Sequence, residues 1–130
     1  MSLNVSPELL EVAKAGPVSD EEFLACVRDS LPYAWKVVDQ LVSDLGTTGN
    51  GHAVDRTNPP SDKDQGELLR LMASSPMRQA VERHYGIKLE FQNCCSTGAF
   101  RPEAVGGAAH QEFISARAQL LNQSPELLNC

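Results

Sequence analysis

From Phe23 to Leu45 the apolar residues recur every three or four positions: Phe23, Cys26, Val27 and Leu31, then Ala34, Val37, Val38, Leu41 and Leu45. That spacing marks an amphipathic helix. Pro32 cuts across it, and a proline inside a helix removes one backbone hydrogen bond and crowds the carbonyl four residues back. The pattern therefore predicts two helices meeting at a break near Ser30 to Pro32, both with apolar faces on one core. The first should start at Ser19, where "SDEE" supplies a cap residue and then Glu22 three positions on, a capping box. The second should stop at Gly46.

Other helix starts carry similar signals. "SPELLE" (Ser6 to Glu11) and "SPELLN" (Ser124 to Asn129) each place Ser at the N-cap, Pro at the first helical position and Glu in the first turn. The first of these helices should end near Ala15, ahead of Gly16 and Pro17. Ser61 or Asp62 should cap a helix through Leu68, Leu69 and Met72. "SSPMRQAVERHYG" predicts another, with Ser75 as N-cap, Pro76 at the first position and Gly86 as the stop. A last helix is expected from about Ala109 to Asn122, with Phe113, Ile114, Leu120 and Leu121 facing inward.

The period changes to two in "IKLEF", with Ile87, Leu89 and Phe91 on one face and Lys88 and Glu90 on the other. A lone strand leaves backbone groups unpaired. Its partner is expected in the "GAFR" segment after a turn, or in the same strand of a second subunit. "GTTGNGHAVDRTNPP" (Gly46 to Pro60) has no periodic apolar residues and reads as one long loop. The expected fold class is mainly α: one compact helical domain over residues 1–130, a long loop at about 46–60, and one short strand or hairpin paired in a homodimer.

Composition narrows the function classes. At 130 residues, 42% hydrophobic and 22% charged, the chain has enough apolar material for one core and is far from a disordered composition. Its net charge of −6 and its singly scattered Lys and Arg argue against nucleic acid, whose binding rests largely on phosphate neutralisation. An acidic surface steers cationic partners and also serves solubility. No apolar run approaches the ~20 residues that cross a bilayer. "MSLNVSPELLEVAKAG" lacks the basic and apolar regions of a signal peptide, so a cytoplasmic location is expected, with reduced cysteines and no membrane partner. Cys26, Cys94, Cys95 and Cys130 contain no C-x-x-C pair, and His52, His84 and His110 have no metal-ligand spacing; neither a metal nor a cofactor is expected. Serine-elbow, phosphate-loop and dinucleotide motifs are absent as well.

Two stretches remain as candidate chemistry. "VRDSLPYAWKVVDQL" gathers Arg28, Tyr33, the single Trp35 and Asp39 about the proline break, and Asp39 lies four residues after Trp35 on the same helix face. These residues either fill core at a helix junction or line a pocket. "LEFQNCC" ends its strand in Gln92 and Asn93, whose amides can hydrogen-bond a peptide backbone or a developing enolate oxygen. They can equally satisfy buried backbone. Cys94 and Cys95 read as small buried residues before they read as nucleophiles.

The segments "CVRDSLPYAWKVVDQLV", "GELLRLMASSPMRQAVERHYGIKLEFQNC" and "RAQLLNQSPELLNC" together resemble a family of small actinobacterial proteins. That family includes the stand-alone lysinoalanine synthases of cinnamycin- and duramycin-type lanthipeptide biosynthesis. The resemblance covers most of the chain outside 46–60 and 95–110, and the chain departs from the pattern at Cys95 to Phe100, where "CSTGAF" is small and polar. It implies a cofactor-independent enzyme that adds a lysine amine to a dehydroalanine in a cyclised precursor peptide, chiefly by positioning. Asp39, Gln92 and Asn93 would then be catalytic, and Arg28, Tyr33, Trp35 and Phe91 substrate-binding. The alternative expectation is a non-catalytic dimeric helical protein that binds a peptide or regulatory partner.

Overall fold

Serine hydroxyls open five helices in the computed structural model, which describes residues 3–92 and 96–122. Ser6 accepts from the Leu9 N–H at 3.1 Å ahead of α1 (Pro7–Ala15), and Ser19 from the Glu22 N–H at 3.2 Å ahead of α2 (Asp20–Ser30). Each satisfies a donor that the first turn of a helix leaves without a partner. α2 ends where the proline predicts, and α3 (Pro32–Thr48) begins at Pro32 after the buried Leu31. Gly46 does not stop α3. The helix runs on through it and ends at Gly49, whose φ of +72° is the left-handed conformation that favours glycine.

α3 has no cap of its own. The Glu67 carboxylate reaches it from α4 (Asp62–Ala73), accepting from the N–H groups of Tyr33 at 2.8 Å and Ala34 at 3.4 Å. Glu67 is 2% exposed, so this buried anion sits at the positive end of the α3 dipole. α5 (Ser75–Tyr85) follows α4 directly. Its N-cap is Ser74, one residue before the expected Ser75, and Gly86 ends it with φ +65°. The "SPELLN" start lies outside the described residues.

The stretch from Gly46 to Pro60 is not one loop: it contains β1 (His52–Asp55). β1 and β2 (Lys88–Phe91) flank β3 (Thr97–Phe100) in an antiparallel sheet of order β1–β3–β2. The "GAFR" segment is thus the partner of "IKLEF" within one chain, and it acquires a second partner that was not expected. Across the middle of the sheet Ala53, Ala99 and Leu89 stand in register. All three are buried in one core with Val27, Leu31, Ala34, Val38, Leu41, Leu68, Leu71 and Val81. α3 packs on β1 and β3, and α4 and α5 pack on β2.

Strand alternation sends His52, Val54, Gly98, Phe100 and Glu90 to the opposite face. α6 (Ala108–Phe113) and α7 (Ala116–Asn122) stand in place of the single helix expected from 109 to 122. Ser115 makes the break: its hydroxyl accepts from the Ala118 N–H at 3.0 Å and donates to the Glu112 carbonyl at 2.7 Å, ending one helix and capping the next. Phe113 is buried as expected, whereas Ile114, Leu120 and Leu121 are exposed. Phe113 packs edge-on against Phe100, and a Cβ at Gly98 would come within 2.9 Å of the Phe100 ring and 3.1 Å of the Phe113 ring. The glycine is what lets these rings close over β3. The mainly α class holds, with a small three-stranded sheet inside the helical shell. Among the described residues no helix is long and apolar enough to cross a membrane.

Candidate functional site

Asp20, Leu24 and Arg28 recur every four residues on α2 and so share a face. With Trp35 of α3 and Arg83 and His84 from the last turn of α5 they line a groove of about 480 Å³. The groove wall is fastened by Arg83, whose Nε and Nη2 donate to the two Asp20 carboxylate oxygens at 2.8 and 3.0 Å. This hydrogen bond holds the Asp20 carboxyl below its ordinary range. Above it stands an aromatic cluster. The Trp35 ring lies 6.1 Å from His84 and 5.9 Å from Tyr85, which meet each other edge-on at 4.7 Å.

Tyr85 connects the cluster to the exposed Asp39, one turn after Trp35, by donating its hydroxyl to Oδ1 at 3.2 Å. Burial, reinforced by that carboxylate, pushes the Tyr85 phenol up to about 12, and Arg28 works against the rise. Arg28, Trp35, Asp39 and Tyr85 therefore act on one neighbourhood. It offers an aromatic wall, a braced carboxylate and a guanidinium whose only close carboxylate is the adjacent Asp29 at 3.4 Å among the described residues.

Gln92 belongs to a different place. It is 3% exposed and lines a cavity of about 450 Å³ between the second face of the sheet and α6–α7, which among the described residues shares no lining residue with the groove. Its Nε2 donates to the Phe113 carbonyl at 2.8 Å and its Oε1 accepts from Arg56 Nη1 at 3.3 Å. The amide thus satisfies a buried backbone acceptor, one of the two roles left open for it. Its own N–H donates to the Ser96 carbonyl at 2.8 Å, closing the β2–β3 connection. Ser96 continues the polar chain to Asn122 Oδ1 at 2.9 Å.

The expected site residues therefore divide. Arg28 and Trp35 line the groove and Asp39 adjoins it. Tyr33 is placed elsewhere, packed against the core with its backbone N–H on Glu67. Phe91 also packs on the core and lines a small recess with Gln92 and Phe113. Asn93, Cys94 and Cys95 lie outside the described residues. No sequence signal pointed to Tyr85 or Arg56, since the hydrogen-bond partners of each lie 36 residues or more away. Glu90 and His110 were passed over too. Gly106 N–H donates to His110 Nδ1 at 2.9 Å, which leaves Nε2 to carry the proton towards Glu90 Oε2 at 3.1 Å. This bond ties α6 to β2.

No curated protein and no solved structure matches the chain. One family model does, over residues 1–130, and its description assigns no activity: the chain belongs to the family described as NucS shadow ORF.

Proposed function

We propose that the protein binds a peptide in the α2–α3–α5 groove, with a lysine side chain of the peptide lying along Trp35 and its ammonium on Asp39. The observation that carries this reading is the pairing of Trp35 and Asp39 one helical turn apart, with the Tyr85 hydroxyl fixing the carboxylate. A lysine stem covers aromatic surface while its charged end stays at the edge. Contact of the ammonium with the ring contributes about 0.5–2 kcal/mol, and a charge-assisted bond to the carboxylate adds to it. Arg28 offers a place for a peptide carboxylate or carbonyl, and the net charge of −6 favours approach of a cationic segment.

Binding is favoured over catalysis because Gln92 is spent on internal hydrogen bonds in a separate cavity. Lysinoalanine formation is the second reading, favoured by the same Trp35–Asp39 pair. There the lysine amine forms an N–C bond to the β-carbon of dehydroalanine as the C=C π bond opens, the α-carbon gains the proton that the ammonium loses, and mass is unchanged.

Trp35 is the only tryptophan, so its emission reports on the groove. A lysine-containing cyclic peptide should change that emission saturably, and Asp39→Asn or replacement of the lysine by norleucine should weaken binding about tenfold, the factor that ~1.4 kcal/mol sets. Unsaturable titration, or equal affinity for all three combinations, removes the proposal. If the protein also protects a dehydroalanine peptide from an added thiol at constant mass, the second reading replaces the first.

A further inference from the structure

The cavity beneath α6–α7 has a composition unlike that of the groove. Its wall is mixed: Val54, Ala118 and Leu121 give it apolar surface with the buried Phe100 and Phe113 behind them, His52 and Glu112 are polar, and among the described residues one guanidinium, Arg56, stands at its side. The volume of about 450 Å³ suits a small molecule, since such sites span roughly 300–1,000 Å³.

Arg56 is held in an unusual way for an arginine at a protein surface. Its Nη1 donates to two neutral acceptors, Gln92 Oε1 at 3.3 Å and Ser96 Oγ at 3.4 Å. Among the described residues no carboxylate lies within ion-pair distance of it, and neither Nη2 nor Nε makes a hydrogen bond. Glu112, the one carboxylate on the cavity wall among the described residues, is paired with Arg117 instead. The guanidinium plane is therefore braced on one edge and open on the other, next to the cavity. An open guanidinium edge presents two parallel N–H donors, which match the two oxygens of a carboxylate.

We infer that this cavity binds a small apolar monocarboxylic acid, its carboxylate on the open edge of Arg56 and its hydrocarbon or aryl body against Val54, Ala118 and Leu121. A doubly charged anion such as a phosphate monoester fits less well, because one cation faces it and Glu112 stands on the same wall. The inference does not depend on peptide binding in the groove, with which the cavity shares no residue among those described.

The test is a titration of the full chain with 3-phenylpropionate, followed by amide NMR. Saturable shifts are expected at Val54, Gln92 and Phe113 and in the Arg56 side chain, with Trp35 and His84 unmoved. The neutral 3-phenylpropionamide should bind about tenfold more weakly or worse, since it lacks the charge that strengthens a hydrogen bond from the guanidinium. Arg56→Gln should weaken the acid by a similar factor and leave the amide unchanged. Ala118→Leu, which fills the cavity from α7 and spares Arg56, should reduce both. If either variant fails to keep the native spectrum, the acid-against-amide comparison on the unaltered protein decides. Absence of saturable shifts, equal affinity for acid and amide, or shifts centred on Trp35 would overturn the assignment.

Discussion

The groove and the cavity are built by different means. The groove is a product of helix surfaces: α2 contributes residues four apart, α3 sets Trp35 and Asp39 one turn apart, and α5 closes it with its last turn. Its charges are plural and mixed, and Asp20 and Arg83 already neutralise each other. The cavity is a product of strand register, with His52 and Val54 on its floor and one guanidinium that no acid answers among the described residues. Regular helices present chemistry that neighbours in sequence share, whereas a sheet face collects chemistry from segments far apart. The first suits an extended, charged ligand, and the second a compact one with a single charge.

That division is open to direct attack. The most severe challenge is Phe100→Ala. Phe100 is fully buried, stacked with His52 at 6.0 Å and edge-on to His110 and Phe113 at 4.9 and 5.6 Å. Truncating a buried phenylalanine costs about 3–5 kcal/mol, to be read from urea unfolding. Hydrogen exchange should quicken first in α6 and α7, while native Trp35 emission stays unchanged. A parallel change in Trp35 emission would mean that the two regions are one mechanical unit.

Gln92→Leu asks a finer question. The leucine fills similar space but leaves the Phe113 carbonyl and Arg56 Nη1 short of a partner, so a loss of about 1–3 kcal/mol is expected, with groove affinity for a lysine peptide intact. Lost peptide affinity at unchanged stability would return Gln92 to the groove's chemistry and merge the two sites. Smaller still is the effect of Tyr85. Its phenol stands at about 12 in the folded chain against ~10 unfolded, so between those values the unfolded state has already released a proton that the folded state keeps. The stability it contributes is full below pH ~10 and is lost as pH rises towards about 12. Solvent screening at this partly exposed site keeps the effect modest. Unfolding monitored through Trp35 should show the decline, and Tyr85→Phe should remove it; an identical decline in the variant would detach Tyr85 from the groove's electrostatics.

Much of the helical frame was legible in the sequence, because helix signals are local. Ser6, Ser19 and Ser61 announced helix starts within three residues of the amides they cap, Pro32 announced the corner, and Gly86 the end of α5. The alternation of Leu89 and Phe91 with Lys88 and Glu90 likewise gave two faces correctly. β1 escaped because its two central residues, Ala53 and Val54, carry too little pattern, and the partner that makes them a strand begins at Thr97. Ser115 caps α7 as Ser6 caps α1, but no proline follows it to advertise the break. Within the groove, Trp35 and Asp39 were legible as an i, i+4 pair, and Tyr85 was not, since it arrives from 46 residues away. Arg56 sat in what read as loop, where nothing local distinguishes a braced guanidinium from a solvated one.

Glu67 gives the corner at Pro32 a history as well as a geometry. The helix that carries Trp35 and Asp39 opens with two N–H groups whose partner is encoded 33 and 34 residues downstream. A chain emerging from its N-terminus can form the body of α3 early, but the start of that helix stays incomplete until α4 has been made and has docked. The groove is thus finished from behind, and a fragment ending before residue 67 would carry the groove's α2 and α3 residues without the carboxylate that caps α3.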